Sequence, residues 1–369
     1  MQLATRRNRP TRVATEATGK RYLVVGGHGL LGSHLVEGLL ARGEAKVRVL
    51  DVAPSTLFDE EVARGHVEVQ VGDVRDRDAV RQACRGVDVV FHTAAAVNYW
   101  ANLPFEYDAI HDINVRGTQN VVEACIAENV TQLVHTSSCS VVVNRDLLRS
   151  PMVLADESSP YAREPFLCHY VQTKIIAEQT VLAANGRGRL LTAALRPGGL
   201  YGPRDRFIAA ASQAGKPGIG GAANVIEHIY VENVVHAFFL LERSLVPDAP
   251  VCGRAYFVTN YAVDERTESY VDFNRRMSRA FGRTFKRAPS WAISALAWTS
   301  HAAMWLTKGA AERFLGELKM LRPATLALTR GTFYFSGERA RVDFGYTPLY
   351  GVDEALALTA AWFDDASAR

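Results

Sequence analysis

The chain has 369 residues, of which 48% are hydrophobic and 22% are charged, and its formal net charge is +3. This composition is ordinary for a globular protein, and so small a charge does not indicate a nucleic-acid partner. The length suffices for one large α/β core and a smaller second lobe. The five cysteines are scattered and form no C-x-x-C pair, which argues against structural zinc and favours a reducing compartment. We therefore expect no metal site and a cytoplasmic rather than a secreted protein.

The first 19 residues are basic and precede any periodic pattern. Their cations include Arg6, Arg7, Arg9 and Arg12. Chain termini are often untethered, so we predict a disordered, solvated tail over residues 1–19. An organelle-targeting segment is the alternative, but the stretch is short and lacks serine.

A glycine-rich loop joins a strand predicted over Tyr22 to Val25 to a helix predicted from about Leu30 to Arg42. Its three spaced glycines would allow a tight turn, close approach of the backbone to a pyrophosphate, and close packing of the helix on the sheet. The helix amino terminus would then present free N–H groups and a positive dipole end to the phosphates. This pattern predicts a dinucleotide site formed by Gly26, Gly29, Leu30, Leu31 and Gly32.

The next predicted strand, Lys46 to Leu50, ends at Asp51, which stands where an acidic residue is expected after such a loop. A carboxylate there accepts hydrogen bonds from the adenosine ribose hydroxyls and repels a 2′-phosphate. We therefore predict NAD rather than NADP as the cofactor. Arg48 is the nearest residue that argues the other way.

From Tyr22 to about Arg196, short β-branched runs alternate with helical patterns, as is typical of a parallel sheet covered by helices on both faces. Further strands are predicted at Val67 to Val71, Val87 to His92, Gln132 to Thr136 and Leu190 to Arg196. The predicted fold class is α/β, with a Rossmann-type doubly wound parallel sheet over residues 20–202. A smaller C-terminal substrate-binding lobe would follow over 203–369, with about 228–240 returning to the first domain.

Residues at the ends of two of these strands extend the predicted cofactor site. Asp73, followed by Val74, would accept a hydrogen bond from the adenine amino group. The small residues after the fourth strand would let a flat cofactor lie against the backbone. These residues are Thr93, Ala94 and Ala95. His92, just before them, is by itself more typical of a packed core.

Tyr170 and Lys174 lie four residues apart in a helical pattern that reaches about Leu182, so they share one helix face. Such a pair alone is most often a surface pair. Here it follows a nucleotide-binding half and the serine-rich strand end Thr136-Ser137-Ser138-Cys139-Ser140. That position favours a catalytic pair.

At these residues the chain resembles the extended short-chain dehydrogenase/reductase superfamily. Within it, the chain is similar to the 3β-hydroxysteroid dehydrogenase family, particularly the branch that includes sterol-4α-carboxylate 3-dehydrogenase (decarboxylating). The resemblance spans nearly all of the chain after the tail. It is carried by residues 26–32, 72–73, 114–118, 136–138, 170–174, 195–197, 202–205, 230–236, 255–260, 331–340 and 344–348.

The resemblance implies a role for each residue of the predicted site. Tyr170 would be the general acid/base, and Lys174 would hold the nicotinamide ribose. The ordinary tyrosine pKa of about 10 is too high for a base near neutrality, but the positive charges of Lys174 and oxidised nicotinamide would lower it. Ser138 would bind the reacting oxygen, and Asn114 would orient a water or backbone group in a proton relay. Pro197 would shape the nicotinamide pocket.

The leading hypothesis is NAD-dependent oxidation of a 3β-hydroxyl on a steroid or sterol, with loss of carbon dioxide if the substrate carries a 4α-carboxylate. Three alternatives stay open: a reductase of a long-chain β-keto acid or other apolar ketone, a sugar-nucleotide epimerase or dehydratase, and a non-catalytic NAD(P)-sensing protein. The Tyr170–Lys174 pair argues against the sensing protein.

Residues 291–306 form an apolar stretch with tryptophans at 291, 298 and 305. It falls short of the roughly 20 residues needed to span a bilayer. It is either a buried helix that caps the substrate lobe or an interfacial helix with its tryptophans at headgroup depth. The basic residues that flank it are Arg283, Lys286, Arg287, Lys308 and Arg313. The expected partners are a small apolar substrate and, through this helix, a membrane surface, with a homodimer as a further option.

Overall fold

The structure is a computed structural model that describes residues 16–147, 149–164, 166–215, 218, 223–261 and 268–367. Most of the predicted tail, residues 1–15, lies outside the described residues. The end of that tail is attached to the domain. The carboxylate of Glu44 accepts the backbone N–H groups of Thr18 at 2.7 Å and of Gly19 at 3.1 Å.

The described strands are β1 (Tyr22–Val25), β2 (Val47–Asp51), β3 (Val67–Val71), β4 (Val89–His92), β5 (Gln132–Thr136), β6 (Met152–Ala155), β7 (Leu191–Pro197), β8 (Gly199–Tyr201), β9 (His228–Tyr230), β10 (Arg254–Val258) and β11 (Phe333–Phe335). The described helices are α1 (Leu30–Ala41), α2 (Asp59–Ala63), α3 (Arg77–Cys84), α4 (Tyr107–His111), α5 (Gly117–Ala127), α6 (His169–Ala183), α7 (Ile208–Gln213), α8 (Val231–Ser244), α9 (Tyr270–Ala280), α10 (Ser290–Leu306), α11 (Glu312–Leu315), α12 (Pro323–Arg330), α13 (Glu338–Phe344) and α14 (Val352–Ser367). Short 3₁₀ turns cover Pro104–Glu106, Cys139–Val142 and Gly316–Met320, and a π-helical turn covers Asp112–Arg116.

One parallel sheet of seven strands, in the order β10-β7-β5-β4-β1-β2-β3, forms the centre of the molecule. The chain builds this sheet outward from β1 to β3, then returns to β4 and builds in the other direction. The strand order therefore reverses between β1 and β4, at the kind of crevice where open α/β sheets bind ligands. The predicted doubly wound parallel sheet is confirmed.

The strand bounds agree closely with the predicted ones. β1, β3 and β5 have the predicted residues, β4 begins two residues later than predicted, and β2 and β7 are each shifted by one residue. The strand β10 was not predicted. It pairs with β7 at the edge of the sheet, Val258 opposite Pro197, so the sheet also takes in chain from beyond residue 202.

The two faces of the sheet are buried in separate cores, and alternate residues of β1 show the division. Tyr22 and Val24 pack in the core that contains α1 and α8, whereas Leu23 and Val25 pack in the core on the other face. Because both of its faces are buried, β1 is a continuous apolar run.

A third core attaches the C-terminal segment to the start of α6. The rings of Phe257 and Phe335 stack there at 4.4 Å, in the same cluster as Val141 and Tyr170. The strand β11 pairs with β6, and β8 pairs with β9, in two small parallel sheets. The C-terminal part of the chain thus packs beside the turn that carries Ser138.

Among the described residues, no helix is both long and apolar enough to cross a membrane.

Candidate active site

The loop between β1 and α1 leaves no room for side chains at two of its glycines. Gly26 has a φ of +85°, and a Cβ on it would lie 2.7 Å from the backbone nitrogen of Ala94. A Cβ on Gly32 would collide with the carbonyl oxygen of Gly26. Either side chain would therefore displace the loop from its neighbours.

The amino terminus of α1 fits the phosphates of a dinucleotide. Gly29 is the N-cap residue, and within the described residues no side chain caps this helix. Since the first turn of an α-helix leaves its N–H groups without intrahelical partners, those groups, from Leu30 onward, are available to an anion. The predicted residues Leu30 and Leu31 lie in this turn.

Asp51 lies beside this loop, at the end of β2. Its Oδ2 accepts the backbone N–H of His28 at 2.9 Å, and its Oδ1 accepts that of Ala53 at 3.4 Å. Arg48, which would have favoured NADP, donates instead to Glu68 at 2.9 Å and to the carbonyl oxygen of Ala83 at 2.6 Å. The position of the charges is therefore consistent with an unphosphorylated ribose.

The other predicted cofactor residues lie at the ends of β3 and β4. Thr93 and Ala94 are tied to the glycine loop, since the Thr93 hydroxyl and the Ala94 N–H each donate to the Val25 carbonyl at 2.9 Å. Ala95 follows them in the same loop.

Asp73 and Val74 follow β3, two strands away from β1. Asp73 forms a two-point ion pair with Arg75, with a shortest distance of 2.6 Å, and hydrogen bonding to Arg75 lowers the pKa of this carboxyl group. Val74 is buried against Gly117, where a Cβ would lie 2.6 Å from its side chain. Arg75 thus competes for the oxygens predicted to accept the adenine amino group.

Tyr170 and Ser138 come together at the carboxyl edge of the sheet. Tyr170 is in the first turn of α6 and is only 4% exposed, and Ser138 caps the 3₁₀ turn after β5. Burial raises the pKa of Tyr170, whereas hydrogen bonding with Tyr99 and Ser138 lowers it. Ser138 also shares a hydrogen bond of 2.8 Å with the hydroxyl of Ser140.

Tyr99 is a site residue that the sequence analysis missed. Its ring meets that of Tyr170 edge-on, with centroids 4.7 Å apart. It lies in the irregular segment after β4, where no periodicity or motif distinguishes one residue from the next. Only its nearness to Tyr170 and Ser138 in space identifies it.

Lys174 is buried one turn after Tyr170. Its ammonium group donates to the carbonyl oxygen of Thr136 at 2.5 Å and lies 3.3 Å from Nε2 of His135. Burial lowers the pKa of Lys174 to about 7, against the opposing negative charge of Glu178. Lys174 is thus directed at the end of β5. Burial is the largest effect on Tyr170 and raises its pKa. The lowered pKa expected from the sequence applies to the state in which oxidised nicotinamide adds its positive charge.

Asn114 links the loop after β4 to α6. Its side-chain oxygen accepts the N–H of Ala96 at 2.7 Å, and its amide donates to the hydroxyl of Thr173 at 3.0 Å. Thr173 in turn donates to the carbonyl oxygen of Tyr170 at 2.9 Å. The side chain thus holds protein groups in place, and the predicted relay through Asn114 stays a prediction.

Pro197 ends β7, and the turn after it packs closely against Glu227. Glu227 is a second site residue that the sequence analysis missed. A Cβ on Gly198 would lie 2.6 Å from the carbonyl oxygen of Glu227. The Glu227 carboxylate is buried, and the backbone N–H groups of Asn260 and Phe335 face it. Burial raises the pKa of Glu227 to about 8. An acid flanked by Val225, Ile226 and Ile229 was the available signal.

A cavity of about 490 Å³ opens at the start of α6. It is lined by Asn102, Glu164, Phe166, Cys168, His169 and Gln172. Its lining combines polar side chains with apolar surface. It reaches the residues on either side of Tyr170 in the helix, which places it next to the site.

The helix α10 buries only Ala297, Ser300 and Met304. Its three tryptophans are exposed: 77% for Trp291, 61% for Trp298 and 62% for Trp305. All five flanking basic residues are exposed as well. These exposures exclude the first of the two alternatives for this segment, a buried helix.

Known proteins with similar sequences support the same chemistry. The model of the 3-beta hydroxysteroid dehydrogenase/isomerase family matches residues 23–292. A 3 beta-hydroxysteroid dehydrogenase/Delta 5→4-isomerase from Mycobacterium tuberculosis is 34% identical, over 91% of this chain and 88% of the relative. The sterol-4-alpha-carboxylate 3-dehydrogenase, decarboxylating, from Mus musculus is 33% identical, over 93% and 91%.

Among solved structures, the UDP-glucose 4-epimerase of Thermus thermophilus in complex with NAD has a TM-score of 0.66 at 25% identity. The match covers 94% of this chain and 99% of the epimerase. Together, these matches confirm the predicted family and the predicted class of enzyme, an oxidoreductase. Since one family model covers most of the chain and both relatives match along nearly their whole lengths, the chain belongs to the 3-beta hydroxysteroid dehydrogenase/isomerase family.

Proposed function

We propose that this protein is an NAD-dependent dehydrogenase that oxidises a 3β-hydroxyl group on a steroid or sterol. The observation that carries the proposal is the meeting of Tyr170 and Ser138, both buried at the carboxyl edge of the sheet, where the Ser138 hydroxyl opposes the effect of burial on the pKa of Tyr170. Lys174 lies one turn further along the same helix. An acid/base group, an oxygen-binding hydroxyl and a cation are the groups that alcohol oxidation requires of the protein.

The glycine loop supports the choice of a dinucleotide cofactor. The absence of side chains at Gly26, Gly29 and Gly32 leaves the backbone open to a pyrophosphate, and the N–H groups of α1 would hold it. Asp51 would accept the ribose hydroxyls, which favours NAD over NADP. When bound, the nicotinamide ring supplies the acceptor for the hydride.

The protein's own part in the reaction is to bind the alcohol oxygen and take its proton. Ser138 would donate to this oxygen and hold it next to Tyr170. The Tyr170 phenolate would accept the hydroxyl proton. Because burial alone raises the pKa of Tyr170, we infer that the nearby positive charges of the bound cofactor and Lys174 are needed to form the phenolate.

The relatives are named for two reactions that share this first step. If the substrate carries a 4α-carboxylate, oxidation at carbon 3 produces a β-keto acid. The bond to the carboxylate then breaks, carbon dioxide leaves, and the bonding electrons move onto the new carbonyl group before a proton is taken up at carbon 4. Similar identities of 34% and 33% favour neither reaction, so we propose the shared oxidation as the activity and decarboxylation as its extension for carboxylated sterols.

We further propose that α10 rests on a membrane surface that supplies the substrate. Its exposed tryptophans form an apolar surface with polar edges, and the surrounding arginines and lysines would face anionic lipid. Sterols are nearly insoluble in water, so contact with a bilayer would give the enzyme direct access to them.

The function is tested by NADH formation with a panel of substrates and purified protein. The panel contains a 3β-hydroxysteroid, its 3α-epimer as the matched control, a 4α-carboxysterol, a long-chain β-hydroxy acid and a UDP-sugar. We expect NADH from the 3β-hydroxyl compounds and not from the epimer, with carbon dioxide released only from the carboxysterol. NADH formed only with the hydroxy acid, or conversion of the UDP-sugar alone, would overturn the proposal.

A further inference from the structure

Lys174 has a buried partner that the reaction outlined above does not use. Nε2 of His135 lies 3.3 Å from Nζ of Lys174, and both side chains are almost completely buried. His135 is the residue before Thr136, whose carbonyl oxygen accepts the other hydrogen bond from Lys174. Two consecutive residues of β5 therefore hold the same ammonium group.

The direction of the first contact follows from charge. Burial and the positive charge of Lys174 lower the pKa of His135 well below its ordinary value, so this imidazole is neutral near pH 7. An ammonium group only donates, so Nε2 of His135 is the acceptor and carries no proton. We therefore assign the ring proton to Nδ1, which is buried and has no hydrogen-bond partner among the described residues.

A second histidine packs beside His135 on the neighbouring strand. His92 lies opposite His135 in the register of β4 and β5, with ring centroids 5.1 Å apart. Thr118 donates its own proton to the carbonyl oxygen of Asn114 at 2.6 Å, so its hydroxyl accepts from Nε2 of His92 at 3.0 Å. His92 is thereby fixed in one neutral tautomer, and burial lowers its pKa to about 3. No second positive charge arises there to repel Lys174.

We propose that His135 is a positioning residue that holds the Lys174 ammonium group at the end of β5 and favours its protonated form. A neutral acceptor stabilises an ammonium group more than the corresponding amine, which opposes the effect of burial on Lys174. The inference rests on the proposed function, because it assumes that protonated Lys174 binds the cofactor ribose.

Other titratable groups face this contact. His92 faces it from β4, Tyr170 and Glu178 from α6, and Arg196 from β7, where Arg196 is paired with Glu178 at 2.6 Å. His92 and Tyr170 stay neutral near pH 7, because burial lowers the pKa of the imidazole and raises that of the phenol. A change confined to His135 should therefore act on the titration of Lys174.

The test measures the dissociation constant of NAD between about pH 5 and about pH 9 in wild-type protein and in three variants. His135→Leu removes the acceptor, His135→Gln keeps an acceptor oxygen, and Lys174→Met removes the donor. We expect the pH at which NAD affinity falls to be lower by about one unit in His135→Leu, since a hydrogen bond to a charged group is worth about tenfold. His135→Gln should stay near wild type, and His135→Leu should change nothing further in a Lys174→Met background.

An unchanged pH midpoint in His135→Leu, or an equal loss of affinity when Lys174 is already Met, would overturn the proposal. A parallel measurement does not depend on the cofactor. Thermal unfolding of the ligand-free single and double variants should give non-additive changes in Tm, because the two residues share one contact. If wild-type protein binds no NAD, the proposed function fails, and additive changes in Tm would separately overturn the role of His135.

Discussion

The carboxylate of Asp51 accepts the backbone N–H of His28 at 2.9 Å, which joins the end of β2 to the glycine loop. This contact holds the predicted ribose-binding acid and the predicted phosphate-binding loop in one arrangement. A carboxylate has about four lone-pair sites, so the bonds to His28 and Ala53 leave acceptor capacity for ribose hydroxyls.

Replacing Asp51 should alter the choice of cofactor. We expect Asp51→Ala to weaken NAD binding and to reduce the discrimination against NADP, because the variant neither accepts the ribose hydroxyls nor repels a 2′-phosphate. Dissociation constants for both cofactors measure the effect. Glu60→Ala, which removes a surface acid from α2, is the control and should leave both constants unchanged. Faster turnover of wild-type protein with NADP than with NAD would contradict the assignment.

Replacing Tyr170 should remove chemistry and leave binding. Tyr170→Phe keeps the ring but loses the ionisable hydroxyl, so turnover should fall by about 10²–10⁴-fold with NAD affinity nearly retained. Lys174→Ala should lower both turnover and NAD affinity. The control is Tyr107→Phe, which changes a tyrosine that packs against His169 outside the predicted machinery. Near wild-type turnover in Tyr170→Phe, measured where chemistry limits the rate, would rule out the proposed base.

Glu227 should make the folded protein less stable as the pH rises. Its pKa is about 8 in the folded protein and near 4.3 in an unfolded chain. The stability that the protonated carboxyl group contributes is therefore fully present below about pH 4 and is lost as the pH rises through 8. We expect Glu227→Gln, which stays neutral, to gain about 2–4 kcal/mol relative to wild type between pH 5 and pH 8. Chemical denaturation at both pH values measures this, with the exposed Glu68→Gln as control. An equal difference between Glu227→Gln and wild type at the two pH values would show that Glu227 is ionised in the folded state.

Binding to vesicles distinguishes a membrane-facing α10 from one that is merely exposed. Wild-type protein should sediment with anionic vesicles at low salt and be released by added salt, since each basic residue near such a surface contributes roughly 1 kcal/mol. Trp298→Ser with Trp305→Ser should reduce this binding and raise KM for bilayer-delivered sterol more than for a soluble alcohol. Phe207→Ser, at an exposed aromatic residue outside α10, is the control. Failure of the wild-type protein to sediment at low salt would leave α10 without a membrane role.

Local sequence patterns determined the first six strands of the sheet and most of the site. The strand β1 was predictable because a strand buried on both faces is a short apolar run, and the edge strand β3 because valine recurs at every second residue. The glycine loop and the pair of Tyr170 and Lys174 were also predictable, because each has its spacing within a single turn or helix. In these cases the residues that interact are close together in the chain.

Only the tertiary structure decided the features that join distant parts of the chain. The strand β10 pairs with β7, which lies some 60 residues earlier in the chain. No local sequence pattern identifies that pairing partner. Likewise, His135 meets Lys174 only because α6 packs over the end of β5. The burial of Glu227 depends on the chain around Asn260 and Phe335 folding back over it. The pKa of a group depends on the solvent and charges that surround it in space, and spacing along the chain does not specify these.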